Sequence, residues 1–514
     1  MKTPREQIGI QEPLRLVKMT VFSNRDHKIA SERLERLDLL LQESFLQSQV
    51  IDLHWERCCE EATAKVKDPS EKARILGKLR DNQARLAREA VSALRVNILR
   101  HELGVPSIRE LSVLISGSEA YAHFCGMLDG HGVKGSSKSR LDRLSRLFSP
   151  GQLEELHATL ISLMGSREEC DQIGLSEPMA MDTALIDGTC IEANIHHPAD
   201  WTLLGDVART LLLGLERIRE RGILNRMPRS PKELMGRFNK LSIEMTHTRR
   251  RKNAKLERKK VLRRMKHLLK TIGEHARRHL DLLNEGWTEA GFFPGEHRQL
   301  RDRLKRMLDL LPKVIHQAHE RIIGGRKIAN AEKILSVYEP DVHVLVRGKS
   351  GKEIEYGNHC LLAENESGYI IDWKLYQEIA PGEPEQLRES IRRQWNLKVD
   401  EELAFAVTDR GLNSKRNSRF LQRNKIADVT CPRDPETLQK RLKNEEFRKL
   451  QKRRGSTEAR IGILKNSRLG GRIRAKGFQN RSSTLAWAIL SHNLWMLSRQ
   501  IQAEEEARQE EKAA

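Results

Sequence analysis

The sequence predicts a mixed α+β and α/β fold, in which a strand-containing domain carries a large helical insertion and follows an all-helical N-terminal region. Apolar residues recur at helical spacing before residue 178, whereas strand-like segments lie near 179–195 and beyond 342. The stretch between the strand-like segments is highly charged and helical in pattern. The predicted parts are residues 1–104, 105–178, 179–206 together with 338–501, 207–337, and a disordered acidic tail at 502–514.

The charge of the chain indicates a polyanionic partner. Lys and Arg number 92 against 71 Asp and Glu, a net charge of +21, and neutralising phosphates releases counterions. A generally basic intracellular protein is the alternative. No CxxC pair occurs, the N-terminus lacks the apolar core of a signal peptide, and no apolar run could span a bilayer. We therefore expect a soluble cytoplasmic protein without a membrane partner.

The N-terminal half predicts a series of helices. Residues 27–57 have the pattern of one amphipathic helix, and a second helix begins at Asp68 or Ser70 and stops before Gly104. Further helices follow, interrupted by a Gly- and Ser-rich loop at 129–139.

The strand signals have a definite order. A first strand at 179–195 leads through a turn to a helix for which Asp200 is the expected N-cap. After the charged helical stretch, an antiparallel meander begins at 342. A helix, a short buried strand ending at Asp409, another helix (414–424) and a last short strand complete the pattern before an apolar closing helix.

One basic segment lies within the helical stretch. Arg249 to Lys270 holds twelve cations and one acid, which is too unbalanced for i,i+4 salt bridges because like charges at that spacing repel. A phosphate-contacting surface explains the excess, and a solvated helix face is the alternative. The candidate phosphate-contacting residues here, which become DNA-contact candidates with the resemblance described below, are Arg249, Arg250, Arg251, Lys259, Lys260, Arg263 and Arg264.

A second basic segment contains a single carboxylate. Between Arg448 and Arg481 there are twelve cations, and Glu458 is the only acid. Glu458 is either a functional carboxylate or an ion-pair partner of Arg454 or Lys465.

Three carboxylates form a candidate constellation. The order strand, meander, helix, strand, helix is that of a ribonuclease H-like domain, in which the first and fourth strands are adjacent. Asp187 and Asp409 would then lie side by side, and their repulsion calls for a cation between them. Mg²⁺ is a hard cation that takes oxygen ligands, and Glu458 from a nearby helix would complete a site for two ions.

Several stretches resemble one known family. "IDGTCIEANIHHPADWTLLGD" (186–206) and "AVTDRGLNSKRN" (406–417) are similar to the two aspartate segments of bacterial insertion-sequence transposases with a DDE catalytic domain. Arg454, Glu458 and Lys465 keep the spacing of the glutamate segment, with Gln451 in place of its usual tyrosine. "RGKSGKEIEYGNH" (347–359) and "LAWAILSHNLWML" resemble the family's Gly-Lys meander and closing helix.

The resemblance implies a DNA transposase that binds terminal inverted repeats and catalyses metal-dependent strand cleavage and strand transfer. Asp187, Asp409 and Glu458 would be the catalytic residues and would bind two Mg²⁺ ions, for which Mn²⁺ substitutes. It also implies that the partner is double-stranded DNA, as both element ends and target, and that the protein is a homodimer in the DNA complex. The expected location is the bacterial cytoplasm, in association with the nucleoid. The candidate DNA contacts near Glu458 are Arg454, Lys465, Arg468, Arg472, Arg474 and Lys476.

Two other functions stay open at this point. One is a nuclease of the same fold, and the other is a DNA-binding remnant that has lost catalysis.

Overall fold

The computed structural model describes residues 25–129, 132–133, 135–250, 252–349 and 352–513. The fold is mixed α/β and mostly helical, with 64% helix and a mixed sheet. The chain divides into two compact units, Met1–Asn194 with Asn358–Ala514, and Ile195–Gly357. No helix in the described part of the chain combines the length and apolarity needed to cross a membrane.

The first unit begins with helices. They are α1 (Arg25–Glu43), α2 (Leu46–Thr63), α3 (Pro69–Asp81), α4 (Gln83–Glu102), α5 (Ile108–Gly117), α6 (Glu119–Phe124), α7 (Lys138–Leu144) and α8 (Pro150–Gly165), with a short hairpin, β1 (Leu128–Asp129) and β2 (Gly132–Val133), after α6. The loop predicted at 129–139 therefore contains part of this hairpin, and its residues 130, 131 and 134 lie outside the described ones.

The helix predicted at 27–57 is two helices. The break falls at Phe45, whose left-handed φ of 57° ends helical geometry between α1 and α2. Leu41 and Leu46, on either side of the break, are both completely buried. The predicted start of the next helix is confirmed, because Asp68 accepts a hydrogen bond of 3.0 Å from the backbone N of Glu71. That stretch also divides, at Asn82, into α3 and α4.

A six-stranded sheet follows in the sequence. Its strands are β3 (Thr183–Glu192), β4 (His343–Lys349), β5 (Lys352–Glu364), β6 (Ile370–Leu375), β7 (Phe405–Thr408) and β8 (Ala427–Asp428). The order is β4-β5-β3-β7-β8, and β6 also pairs with β5. The antiparallel meander is confirmed as β4, β5 and β6, whereas β3, β7 and β8 are parallel.

The remaining helices of the first unit come from the C-terminal half. They are α13 (Glu383–Gln394), α14 (Lys415–Arg423), α15 (Pro435–Arg441), α16 (Glu445–Ile463) with a π-helical turn at Leu464–Arg468, and α17 (Phe478–Ala513). The acidic tail expected to be disordered is the last part of α17. Its Glu504 accepts hydrogen bonds from the backbone N (2.9 Å) and hydroxyl (2.6 Å) of Ser176, which fasten this end of the helix.

The second unit contains α9 (Asp200–Glu220), α10 (Pro231–His247), α11 (Ala254–Gly286) and α12 (Pro294–Ala318), as the charge pattern predicts, together with β4 and the first part of β5. Its helices share a core of their own, with Leu211, Leu262 and Leu304 completely buried. Asp200 is the first residue of α9 and not its cap. It is buried and accepts hydrogen bonds from Gln317 (3.1 Å) and Arg321 (2.8 Å).

Candidate active site

Asp187 lies on β3, and Asp409 directly follows the neighbouring parallel strand β7. The register of β3 and β7 pairs Leu185 with Val407 and Ile186 with Thr408. Asp187 directly follows Ile186, and Asp409 directly follows Thr408, as the element order predicts. Parallel strands place such residues side by side, so two carboxylates lie at the same level of the sheet.

Backbone amides orient both carboxylates. Asp187 Oδ1 accepts a hydrogen bond of 2.7 Å from the amide of Gly188. Asp409 Oδ1 accepts from the amides of Gly411 (3.0 Å) and Leu412 (3.4 Å), in the turn that follows β7. Gly188 packs closely against His359, because a Cβ at this position would lie 3.0 Å from the ring. Both aspartates are partly exposed.

Helix α16 covers the face of the sheet to which the aspartates point. Leu185 and Val407 form a small core with Phe447 and Leu450 of α16. Side chains two residues apart on a strand share a face, so Asp187 and Asp409 point toward α16 as well. Consistent with this, Arg454 Nη1 lies 3.9 Å from Asp187 Oδ2. The guanidinium therefore offsets part of the negative charge of the aspartate pair.

Gln451 fixes the same helix to the strand ends. Its side-chain amide donates hydrogen bonds to the carbonyl of Thr408 (3.2 Å), directly before Asp409, and to the carbonyl of Val429. Gln451 thus holds α16 against β7 and the end of β8.

A buried carboxylate, Glu364, anchors α16 from the other side. Glu364 is 1% exposed at the end of β5. It accepts hydrogen bonds from Arg453 (3.0 Å), Thr457 (2.9 Å) and Arg460 (3.4 Å). Sequence reasoning missed Glu364, because its partners lie some ninety residues further along the chain. No local pattern points to them.

Glu458 lies on α16 one helical turn beyond Arg454, but it is exposed. Thr457, its neighbour, is the residue that faces the core. Among the described residues, no three His, Cys, Asp or Glu side chains are grouped closely enough to hold a metal ion. The structure brings Asp187 and Asp409 together, and places Glu458 on the helix that packs against their strands.

The donor chemistry of the aspartate pair fits a divalent hard cation. Both ligands are carboxylates, and Mg²⁺ takes one or two protein carboxylates while keeping several waters. Asp187 already has one cationic neighbour in Arg454, which offsets part of the charge of the pair. Glu383 adds a further acid beside the turn, since a Cβ on Gly411 would meet both its carboxylate and that of Asp409.

The basic segment after α16 divides into exposed and buried cations. Arg472, Arg474 and Lys476 are exposed, and Arg472 forms an ion pair of 2.9 Å with Glu192. Lys465 is partly exposed. Arg468, in contrast, is 4% exposed, pairs with the buried Glu102 and stacks 5.0 Å from the ring of Trp495. The guanidinium of Arg468 is enclosed by protein, so its predicted contact with DNA would require this pair to open.

The predicted basic segment of the second unit is largely accessible. Arg250, Lys260, Arg263 and Arg264 are exposed and Lys259 is partly exposed. Lys260 pairs with Glu257 at 3.1 Å and Arg264 with Glu244 at 2.9 Å, which lowers the surplus charge of this surface. The side chain of Arg249 and the whole of Arg251 lie outside the described residues.

Comparisons with known proteins give no independent assignment. No protein-family model matches the chain, and no curated protein or solved structure is significantly similar to it. Any function must therefore be argued from the residues themselves.

Proposed function

We propose that this chain is a DNA transposase with a ribonuclease H-like catalytic domain, whose active site is built on Asp187 and Asp409 and completed by Glu458 from α16. The observation that carries the proposal is the strand register, in which the two aspartates directly follow the last paired residues of β3 and β7. The sequence segments around them are also the ones that resemble insertion-sequence transposases.

Asp187, Asp409 and Glu458 are the residues that would hold divalent metal ions. When bound, Mg²⁺ would activate the attacking hydroxyl and stabilise the leaving oxygen of an in-line displacement at a phosphodiester. The amides of Gly188, Gly411 and Leu412 keep the aspartate oxygens oriented before DNA arrives. Such preorganisation avoids rearrangement during the reaction.

The cations near the aspartates would bind the DNA backbone. Arg454 lies within reach of Asp187, and a guanidinium donates two parallel hydrogen bonds to a phosphate. Exposed Arg474 and Lys476, beyond the π-helical turn, would extend this contact along the duplex. Since these contacts go to phosphates, they position DNA without reading its sequence.

The reaction consists of two displacements at the same site. Water first attacks the phosphodiester at an element end and frees a 3′-hydroxyl. That hydroxyl then attacks a phosphodiester of target DNA, and a 3′-oxygen of the target leaves. A homodimer would hold the two element ends, with DNA joining the protomers.

The test uses the DNA that flanks the gene in its own genome. Purified protein is incubated with those flanks, a target plasmid and Mg²⁺ or Mn²⁺. We expect end cleavage and joining to the plasmid, both lost in Asp187→Asn and Asp409→Asn. Cleavage without joining would identify a nuclease, and duplex binding without cleavage would identify a non-catalytic DNA-binding protein.

A further inference from the structure

A basic and aromatic surface lies on α13 and α14, apart from α16 and the basic segment that follows it. Lys415, Arg416, Arg419 and Arg423 of α14 are all exposed, and α14 contains no acidic residue. Within the described part of the chain, none of these four forms an ion pair. Four cations on one short helix without acidic partners indicate a surface for a polyanion.

Aromatic side chains border these cations. Trp395, directly after α13, is 47% exposed, and its ring lies 5.8 Å from that of Phe420 on α14. Arg392 stacks on the ring of Phe420, with its guanidinium 5.7 Å from the centroid. Exposed aromatic residues among arginines are typical of nucleic-acid surfaces, since both ring and guanidinium contact sugars and bases.

A buried arginine of α13 adds positive charge beneath this surface. Arg388 is 5% exposed and donates hydrogen bonds to Asn417 Oδ1 (2.5 Å) and to the carbonyl of Pro384 (2.9 Å). Burial lowers the pKa of Arg388, and neighbouring Arg416 and Arg392 lower it further, against the opposing effect of Glu385 and Glu389. The cations on this face therefore repel one another, and an anion would relieve the repulsion.

This surface is connected to Asp409 by hydrogen bonds. The amide of Leu412 donates to Asp409, and the carbonyl of Leu412 accepts from the side chain of Asn417 at 2.7 Å. Asn417 in turn accepts from Arg388. The turn after β7 thus joins the aspartate to the start of α14.

Ala184 and Ala406 point away from the sheet face that α16 covers, because side chains alternate along a strand. Ala184 and Ala406 belong to the core that contains Leu387 of α13 and Leu421 of α14. Their neighbours Leu185 and Val407 face α16 instead. The aspartate pair therefore lies between the turn that leads to α14 and the sheet face that α16 covers.

We propose that the α13–α14 surface binds the backbone of a second duplex, the target DNA, while the basic segment after α16 holds the element end. This inference rests on the proposed function, because strand transfer requires two duplexes at one active site. Charge complementarity and the position of the surface next to Asp409 favour target DNA as the occupant.

The test compares Arg416→Ala/Arg419→Ala with a control, Lys72→Ala/Arg85→Ala, which removes two exposed cations from α3 and α4. The first readout is the salt dependence of binding to a labelled random-sequence duplex, which does not depend on catalysis. The salt slope is the slope of the logarithm of the binding constant against the logarithm of the salt concentration. Loss of two phosphate contacts lowers its magnitude by about 2. We expect that decrease in the α14 variant, and a wild-type slope in the control.

The second readout separates the two duplexes. With pre-cleaved ends and a target plasmid, we expect strand transfer by the α14 variant to fall at least about tenfold. End cleavage should stay within about twofold of wild type, and the control should match wild type in both reactions.

Three results would overturn the inference in distinguishable ways. An unchanged salt slope means that this surface does not bind duplex DNA. A parallel fall in cleavage and joining assigns the surface to the element end. If wild-type protein neither cleaves nor joins DNA while the slope still decreases, the proposed function fails, and with it the target assignment, although the surface binds DNA.

Discussion

The guanidinium of Arg454 lies 3.9 Å from the carboxylate of Asp187, which stands beside Asp409 across two parallel strands. This arginine takes part of the role that a metal ion would have, because it offsets negative charge where two carboxylates are adjacent. The relationship makes the aspartate pair sensitive both to Arg454 and to divalent cations.

Replacing Arg454 with Ala should therefore lower stability most when metal is absent. We expect a loss of about 1 kcal/mol in the free energy of unfolding in EDTA, since the half-buried pair is partly screened by water. Saturating Mg²⁺ should shrink the difference, because a cation bound to the aspartates replaces the charge that the lost guanidinium had offset and so stabilises the variant more than wild type. Thermal melts with and without Mg²⁺ measure this, with Asp187→Asn as the control that removes the repulsion. An equal loss of stability in Arg454→Ala with and without Mg²⁺ would contradict the expectation.

Glu364 should be far more important for stability than its more accessible neighbour Glu366. Glu364→Ala leaves Arg453 and Arg460 facing a buried space, and losing one partner of a buried pair costs about 3–5 kcal/mol. Glu364→Gln should cost less, because the amide oxygen still accepts a hydrogen bond. Glu366→Ala, which removes a solvent-accessible pair with Lys449 at 3.1 Å, should cost under about 1 kcal/mol.

Urea denaturation of the three variants measures these differences. Equal losses for Glu364→Ala and Glu366→Ala would show that Glu364 does not anchor α16.

Substitutions of Arg468 and Arg474 should have opposite effects, because we expect the first to change stability and the second to change DNA binding. Arg468→Ala breaks the buried pair with Glu102 and should cost about 3–5 kcal/mol in stability without changing the salt slope of DNA binding. Arg474→Ala should leave stability within about 0.5 kcal/mol and lower that slope by about 1. Denaturation and fluorescence anisotropy on the same samples check both expectations. A lowered slope for folded Arg468→Ala would contradict this expectation and support the predicted contact of Arg468 with DNA.

Acid should destabilise the protein through buried histidines. Burial lowers the pKa of His157 to about 4, and of His101 and His492 to about 3. A lowered folded pKa means that the stabilisation is present above the unfolded value of about 6.5 and is lost as pH falls toward the folded values. For His157 the decrease in the free energy of unfolding is about 3 kcal/mol at pH 4.

His157→Asn should therefore show a smaller decrease in stability between pH 7 and 4 than wild type. His267→Asn, which changes an exposed histidine, should follow the wild-type curve. Coincident curves for wild type and His157→Asn would exclude His157 as a source of the acid sensitivity.

The sequence predicted elements better than it predicted contacts. Strand and helix periods placed β3, β7 and the meander, and the ribonuclease H-like order of these elements was the basis for predicting Asp187 and Asp409 side by side. Those periods depend on local burial, which the sequence encodes residue by residue. The division of the first predicted helix at Phe45 has no such pattern, because a positive φ at a Phe depends on surrounding packing.

Long-range partners account for most of what the sequence could not reveal. Arg468 reads as one more cation in a basic run, and only its contact with Glu102, from a distant helix, shows that it is buried. Glu504 likewise belongs to a tail of acidic composition, yet its bonds to Ser176 keep α17 helical there. The sequence did not reveal the role of Gln451 for the same reason. Its hydrogen-bond acceptors are the backbone carbonyls of Thr408 and Val429, at the ends of β7 and β8.

Metal-dependent nicking of the flanking DNA is the most direct measurement of the central claim, that Asp187 and Asp409 form one catalytic centre. We predict cleavage by wild-type protein in Mg²⁺ or Mn²⁺ but not in EDTA. We also predict a loss on the order of 10³-fold in both Asp187→Asn and Asp409→Asn, with no additional loss in the double variant, because the two residues act as a unit. Full activity in either folded single variant would contradict the account.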